Sequence, residues 1–208
     1  MDYGGQLYTS VDSGYTWTPR DSARTWWSVA SSADGAKLVA VVDTGQIYTS
    51  TNSGASWTPR ESARAWRSVA SSADGTRLAA VAYGGLIYTS TDSGVNWTPR
   101  DSARSWQSNA SSADGTKLVA LVQGGQIYTS TDSGVTWTPR DSARPWQAVA
   151  SSADGSRLLA VAMVGGIYTS TDSGVTWVQR PASLRNYSAV ASSADGVQLV
   201  AVVSGGQI

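Results

Sequence analysis

The stretch "YTSTDSGVTWTPR", from Tyr128 to Arg140, decides the fold because the chain uses it, with variations, five times. The other copies begin at Tyr8, Tyr48, Tyr88 and Tyr168, so the spacing is a constant 40 residues. A catalytic group is usually needed once, whereas a phrase used five times indicates architecture or a binding site repeated by symmetry. A period of this length is typical of stacked or radial repeat proteins.

The fourth copy of the repeat can be divided at its turns. Residues 146–152 alternate as a strand, and the Ala-Asp-Gly turn at 153–155 supplies the backbone angles of a tight hairpin. Residues 156–163 are apolar on both faces, as in a strand covered on two sides. The third and fourth strands are predicted at 167–171 and 175–180. No segment has a helical period, so each unit is predicted to be four antiparallel strands.

Four strands in about 40 residues are typical of a β-propeller blade. We therefore predict an all-β, five-bladed β-propeller that forms a single domain over residues 1–208, with one blade shared between the N- and C-terminal segments. The blades are expected at residues 26–60, 66–100, 106–140, 146–180, and 187–204 closed with 4–20. Residues 202–208 repeat the pattern of residues 1–7, so both ends compete for one place in the ring. A monomer is expected, and an oligomer that shares blades between chains is the alternative.

Composition excludes several classes of partner and chemistry. The 15 basic and 15 acidic side chains balance, which argues against nucleic acid and against an anionic membrane surface. No apolar run approaches the roughly 20 residues of a membrane span. The chain has no Cys and no His, so no disulfide, thiolate zinc site or histidine-based triad can form, and we expect no cofactor and no metal. The first residues have no signal-peptide pattern.

The segment after each repeated Tyr resembles an Asp-box, also called a BNR repeat, with the pattern Ser/Thr-x-Asp-x-Gly-x-Thr-Trp. The five matching segments are residues 10–17, 50–57, 90–97, 130–137 and 170–177. Such boxes occur in the propellers of sialidases, sortilin-type receptors, some glycosidases and photosystem assembly factors. The resemblance implies a propeller with the box on the hairpin between the third and fourth strands, and an extracellular or cell-surface location.

Residue chemistry favours a structural role for the boxes. The acidic or amide side chain can accept backbone N–H bonds, the glycine supplies a left-handed position, and the indole covers the hairpin. Asn52 replaces Asp in the second box, which a turn tolerates better than a metal or catalytic site does. The predicted structural residues are Asp12, Gly14, Trp17, Asn52, Gly54, Trp57, Asp92, Gly94, Trp97, Asp132, Gly134, Trp137, Asp172, Gly174 and Trp177.

An enzyme is not predicted, although the family includes sialidases. A sialidase-like site needs an arginine cluster, a Tyr nucleophile with a Glu partner, and a further acid. The chain has one Glu, and Glu61 stands where other repeats have Asp. Of the acidic residues, only Asp2 and Asp43 lie outside repeated positions, and they make a poor catalytic pair.

The repeats differ from one another in two places that alternating strand directions bring to the same end of the propeller. The turns between strands two and three read Asp43-Thr44, Tyr83-Gly84, Gln123-Gly124, Met163-Val164 and Ser204-Gly205. Just before and within the first strands the copies read Thr25/Trp27, Ala65/Arg67, Ser105/Gln107, Pro145/Gln147 and Asn186/Ser188. Loops on a rigid scaffold often carry binding sites, so Asp43, Arg67, Tyr83 and Gln123 are candidate ligand-binding residues.

The same end carries a ring of aromatic residues made of Trp26, Trp66, Trp106, Trp146 and Tyr187. With nearby arginines they could form sugar-stacking pockets between blades. The favoured alternative is that they wedge neighbouring blades together, because a large ring at a sheet junction is usually core.

The sequence thus predicts a non-enzymatic binding scaffold for glycans or protein partners, with multivalent carbohydrate binding at the variable turns as its specific form. The alternative is a structural repeat segment, or a designed symmetric propeller, without a specific ligand. A degenerate sialidase-like glycosidase is the least favoured hypothesis.

Overall fold

The computed structural model describes residues 4–205, which form strands and turns only. The predicted overlap of the two ends therefore lies partly outside the described residues, as does Asp2. Within the described chain there is no helix of the length and apolarity that a membrane crossing needs.

Sixteen strands are described in residues 4–205. In chain order they are β1 (Gly5–Thr9), β2 (Thr18–Arg24), β3 (Trp26–Ser31), β4 (Leu38–Gly45), β5 (Ile47–Ser50), β6 (Thr58–Pro59), β7 (Arg64–Ser71), β8 (Leu78–Ser90), β9 (Thr98–Ser111), β10 (Leu118–Ser130), β11 (Thr138–Ser151), β12 (Leu158–Ala162), β13 (Gly165–Ser170), β14 (Val178–Arg185), β15 (Tyr187–Ser192) and β16 (Leu199–Val203).

The four repeats between β3 and β14 each contain the four antiparallel strands that the turns predict. In the second repeat, β7 pairs with the first half of β8, with Ser71 opposite Leu78. The second half of β8 pairs with the start of β9, with Ile87 opposite Arg100. The same strand β9 then continues as the inner strand of the third repeat. Neighbouring repeats are thereby joined into one 12-stranded sheet that runs from β3 to β14.

The Ser-Ala-Asp-Gly turns link each repeat to the next through backbone hydrogen bonds. The N–H of Ala33 donates to the carbonyl of Ala73 at 2.7 Å, and the same 2.7 Å bond joins Ala73 to Ala113, Ala113 to Ala153 and Ala153 to Ala194. We call the end of the molecule that carries these turns and the box turns the constant end. The opposite end, with the turns around residues 43, 83, 123 and 163, is the variable end.

The hydrophobic core is formed by contacts between neighbouring repeats as well as by contacts within each repeat. Strand β10 is buried on both faces from Leu118 to Val122 because the sheets of the adjoining repeats cover it. Trp106 packs with Val81 and Ile87 of the preceding repeat and with Tyr128 of its own. The fold therefore depends on stacking one repeat against the next, as expected for repeat proteins.

The predicted closure of a shared blade is not confirmed. Strands β1–β2 and β15–β16 form two separate two-stranded sheets, and no pairing between β1 and β16 is present in residues 4–205. Val29 of β3 is 59% exposed, whereas the equivalent residues Val69 and Val149 are 5% and 7% exposed. The difference arises because no preceding inner strand covers β3. The structure shows an all-β array of antiparallel sheets.

Candidate functional site

Each box turn is closed by hydrogen bonds of its own side chains. In the last box, Thr176 donates its N–H to Asp172 Oδ1 at 2.9 Å and its hydroxyl to Asp172 Oδ2 at 2.6 Å. Gly174 donates its N–H to Ser170 Oγ at 2.9 Å, and Trp177 Nε1 donates back to the carbonyl of Gly174 at 3.0 Å. The carboxylate is thus used inside the turn, which is a structural function.

The second box shows that an amide can do the same work. Asn52 Oδ1 accepts the N–H of Ser56 at 3.0 Å and the hydroxyl of Ser50 at 2.9 Å. Its amide group donates to Ser56 Oγ at 2.9 Å. The turn therefore forms without a negative charge.

Hydrogen bonds from Thr176, through its side chain and its backbone, and from Ser170 lower the pKa of Asp172 to about 2. In the Ser-Ala-Asp-Gly turn of the third repeat, hydrogen bonds from Ser112 and Thr116 lower the pKa of Asp114 to about 2. Carboxylates of this kind remain ionised at neutral pH and serve poorly as proton donors.

These lowered pKa values predict how stability depends on pH. An unfolded Asp has a pKa near 3.9, so between about pH 4 and pH 2 the unfolded chain binds more protons than the folded one. The stabilisation by these turns is present above about pH 4 and is lost as pH falls through the folded pKa. We expect the free energy of unfolding, measured by urea titration, to fall across that window. Asp172→Asn, which copies Asn52 of the second box, should make the fall shallower; an unchanged slope would contradict the assignment.

The ring of aromatic residues at the start of the inner strands belongs mostly to the interior. Trp66, Trp106 and Trp146 are 0% exposed, Tyr187 is buried, and Trp26 in the first repeat is half-buried. Trp106 meets Tyr128 edge to face with ring centres 5.2 Å apart, and the same contact recurs in the other three Trp repeats. A sugar cannot stack on these three buried rings while the repeats stay packed. The burial of these three rings agrees with the wedge between repeats that the sequence favours over stacking pockets.

The repeated arginines are also occupied by the architecture. In the third repeat, Arg100 donates its Nε–H to Thr89 Oγ1 at 3.0 Å. The guanidinium of Arg104 lies 4.6 Å from the ring centre of Tyr128 and 3.6 Å from the carboxylate of Asp101. Equivalent contacts recur in the neighbouring repeats. These cations hold strands and rings together.

One β-bulge at the start of each inner strand directs a side chain towards the variable end. In the first repeat Trp26 pairs with Val42 and Ser28 pairs with Val41, which leaves Trp27 as the extra residue of the bulge. A bulge of this kind re-aims the side chain that it carries. The register shifts in the same way in the other repeats. The bulged residues are Trp27, Arg67, Gln107, Gln147 and Ser188.

The bulges of the first two repeats bring four side chains together at the variable end. Arg67 Nη1 lies 3.0 Å from Asp43 Oδ2, and the guanidinium carbon of Arg67 lies 4.2 Å from the ring centre of Trp27 and 5.5 Å from that of Tyr83. Trp27 and Tyr83 remain 43% and 41% exposed. We call these four residues the Arg67 cluster. It is the candidate functional site.

Two features of the Arg67 cluster bear on its chemistry. Asp43 Oδ1 is buried and has no hydrogen-bond partner within residues 4–205. It shares this state with other buried side-chain atoms of the described residues, among them Asp141 Oδ2 and Arg104 Nε. The cluster contains one carboxylate, and the described residues include no group of three or more acidic, His or Cys side chains that could hold a metal ion. The arrangement offers polar contacts and aromatic surface, without an acid–base pair.

The sequence singled out Asp43, Arg67 and Tyr83, and the structure brings these three together. Gln123 does not lie with them. It pairs with Pro145, and the equivalent pair in the first two repeats is Asp43 with Ala65, so Gln123 lies two repeats away from Asp43. Trp27 is not among the ligand-binding residues that the sequence predicts. Its signal was that this position varies between repeats, where it is Trp, Arg, Gln, Gln and Ser.

Comparisons with known proteins place the fold among β-propellers. The chain matches no protein-family model and no curated protein. Among solved structures it is similar to a GH74 enzyme of Niastella koreensis, with 26% identity, a TM-score of 0.63, and coverage of 83% of this chain and 26% of the enzyme. It is also similar to YCF48 bound to D1 peptide, with 18% identity, a TM-score of 0.68, and coverage of 99% and 68%. The nidogen/laminin complex gives 12% identity, a TM-score of 0.72, and coverage of 97% and 83%.

The chain thus spans about a quarter of the GH74 enzyme that it matches. The similar structures include enzymes as well as proteins solved with a binding partner. The likeness therefore shows a propeller fold and leaves the activity to be argued from the site.

Proposed function

We propose that this chain is a non-enzymatic binding module whose ligand docks at the variable end. The observation that carries the proposal is the division of the molecule into two unlike ends. The turns of the constant end repeat the same hydrogen bonds, whereas the variable end presents different exposed side chains in each repeat, among them Trp27, Tyr83 and Met163. Variable, exposed side chains on a rigid frame are typical of recognition surfaces.

We propose no enzymatic role because the acidic side chains are engaged in structural contacts. The box and Ser-Ala-Asp-Gly carboxylates are bonded within their turns, as the pairs Asp172–Thr176 and Asp114–Thr116 show. Asp43, the singular acid among the described residues, is paired with Arg67. A glycosidase needs two carboxyl groups facing one bond, and the Arg67 cluster supplies one.

A macromolecular ligand is supported by the similar structures. YCF48 was solved bound to D1 peptide, and nidogen in complex with laminin. Trp27 and Tyr83 are exposed at the variable end, and aromatic residues are enriched in protein interfaces. Protein segments are therefore one class of ligand to screen, and glycans, which the sequence suggests, are the other.

The test is a parallel screen of the labelled whole chain on a peptide array and a glycan array. A variable-end variant that carries Tyr83→Gln and Met163→Gln takes its residues from Gln123 of the third repeat. The matched control is Tyr15→Val at the constant end, which takes its residue from Val95, Val135 and Val175. We expect the variable-end variant to lose the binding that the control keeps. Equal binding by both, or no binding on either array, would contradict the proposal.

We further propose that the box turns are Asp-boxes and that the five repeats close into a five-bladed ring. The strands β1–β2 correspond to the third and fourth strands of a blade, and β15–β16 to the first and second. The N–H of Ala194 and the carbonyl of Ala33 stand at the two ends of the belt of 2.7 Å bonds. Closure would join them, and it would remove the open edges of β1 and β16.

Ring closure predicts a specific cross-link. In the fourth repeat Leu159 pairs with Thr169, and the same register would place Val200 opposite Thr9. The chain has no Cys, so Thr9→Cys with Val200→Cys should yield an internally cross-linked monomer on oxidation, seen as faster migration on a non-reducing gel. Val39→Cys with Thr49→Cys, at an observed pair, is the positive control. A cross-linked dimer, or no cross-link beside a working control, would contradict closure.

A further inference from the structure

The Arg67 cluster is built from residues that break the repeat. Trp27 and Asp43 come from the first repeat, and Arg67 and Tyr83 from the second. The third repeat has Gln107 and Gln123 at the corresponding positions. Arg67 pairs with Asp43 and stacks on Trp27, so the departures from the repeat meet at one point. The other repeats stack on one another without an equivalent of the Arg67 cluster, so the cluster is not needed to assemble the fold.

The Arg67 cluster has both hydrogen-bond donors and a hydrogen-bond acceptor that have no partner within the described residues. Arg67 carries five N–H donors, and its bond to Asp43 is the only one described for it within residues 4–205. Asp43 Oδ1 lacks a donor. This oxygen is buried, while the Asp43 side chain as a whole is 20% exposed, so a ligand reaches the oxygen only if the carboxyl group turns about its soft terminal torsion. The ligand that fits must accept from the guanidinium and donate to the carboxylate at adjacent atoms.

The charge of the cluster selects a neutral ligand. The positive charge of Arg67 is balanced by Asp43 at 3.0 Å. An acidic sugar or a phosphate would place a second anion beside the carboxylate, and like charges at that distance repel. A strongly cationic ligand would be repelled by the guanidinium of Arg67 for the same reason.

The aromatic rings supply the apolar part of the site. Trp27 lies against one side of the guanidinium at 4.2 Å and Tyr83 at 5.5 Å, and both rings keep exposed surface next to the polar pair. An exposed ring beside fixed polar groups suits a ligand with an apolar face and a polar edge.

From these features we propose that the Arg67 cluster binds a neutral pyranose residue of a glycan. Two neighbouring hydroxyls of the sugar bridge the pair, one donating to Asp43 and one accepting from Arg67, while a C–H face of the ring lies on Trp27 or Tyr83. A hydroxyl donates and accepts at once, which matches the two unused capacities. The inference rests on the proposed binding function and assigns its ligand class. It also makes the site single, because the other repeats lack these residues.

The experiment uses the whole chain on an array of neutral oligosaccharides of glucose, mannose, galactose and xylose. Sialylated and uronate-containing glycans are printed beside them, with a peptide array as a separate arm. The strongest neutral oligosaccharide is then titrated by calorimetry against Arg67→Gln, Asp43→Gln and Trp27→Gln, which borrow Gln107 and Gln123 from the third repeat. Tyr15→Val is the matched control at the constant end. Thermal unfolding of each variant establishes that it is folded.

We expect neutral glycans to bind, and each of the three cluster variants to weaken binding by about tenfold or more, with the control unchanged. Binding of acidic glycans alone, or neutral binding that the folded variants retain, overturns the inference. Peptide binding at the variable end without any glycan binding overturns the sugar assignment and leaves the binding function standing. No binding at the variable end on either array overturns both.

Discussion

Trp106→Ala is expected to lower the free energy of unfolding by about 3–5 kcal/mol, the range found when a fully buried large aromatic is truncated. Trp106 is 0% exposed and fills the space between the second and third repeats, where it contacts Val81, Ile87 and Tyr128. Truncation removes its contacts with both repeats and leaves a cavity that the two sheets cannot close.

The matched control for this variant is Trp27→Ala. Trp27 is 43% exposed and directly follows Trp26, which is the equivalent of Trp106 in the first repeat. Its loss should therefore change the free energy of unfolding by about 1 kcal/mol or less. Urea unfolding followed by circular dichroism measures both. Similar effects for the two variants would contradict the placement of the aromatic ring in the interior.

Gly134→Ala is expected to destabilise the protein by about 2–4 kcal/mol, through two additive terms. The backbone of Gly134 has a φ of 82°, a left-handed conformation that an L side chain adopts at a penalty. A Cβ built there would lie 2.7 Å from Thr89 Cγ2 of the preceding repeat and 3.0 Å from Leu118 Cδ1 of its own repeat. The box turn therefore docks so closely on its neighbour that only hydrogen fits.

Gly124→Ala separates the two terms. Gly124 has a φ of 70°, but no atom lies within 4 Å of a Cβ built there. Only the backbone penalty applies, so we expect a loss of about 1–2 kcal/mol in the same urea experiment. An equal loss in both variants would mean that the contact between repeats contributes nothing at Gly134.

Local structure could be predicted from the sequence because its causes are local. A turn of Ala-Asp-Gly or Asp-Ser-Gly carries its own hydrogen bonds, such as the bond that the N–H of Gly174 donates to Ser170 Oγ, and these need no distant partner. The strands between such turns then follow from spacing, and the buried character of residues 118–122 follows from their apolar run.

Long-range order was harder to predict. Closure of the ring depends on a small rotation between repeats that accumulates along the chain, and each repeat contacts only its neighbours. No residue type reports that rotation. The same limit applies to β9, which runs unbroken from one repeat into the next, whereas the turn chemistry suggested two separate strands.

Part of the candidate site could be predicted from the sequence. Asp43 and Arg67 stood out because they break a repeated pattern of charges. Their contact with Trp27 could not be foreseen, because it needs a bulge that turns position 27 towards the next repeat. For the ring of tryptophans the sequence favoured a wedge between blades over a sugar-binding surface, and stacking of repeats buries Trp66, Trp106 and Trp146.

The central claim is that the constant end is architecture and the variable end recognises a ligand. Amide hydrogen exchange of the whole chain, with and without the strongest ligand from the two arrays, tests it most directly. We expect added protection around Trp27, Asp43 and Arg67 and no change at the box turns. Protection confined to the box turns or to the Ser-Ala-Asp-Gly turns would contradict it.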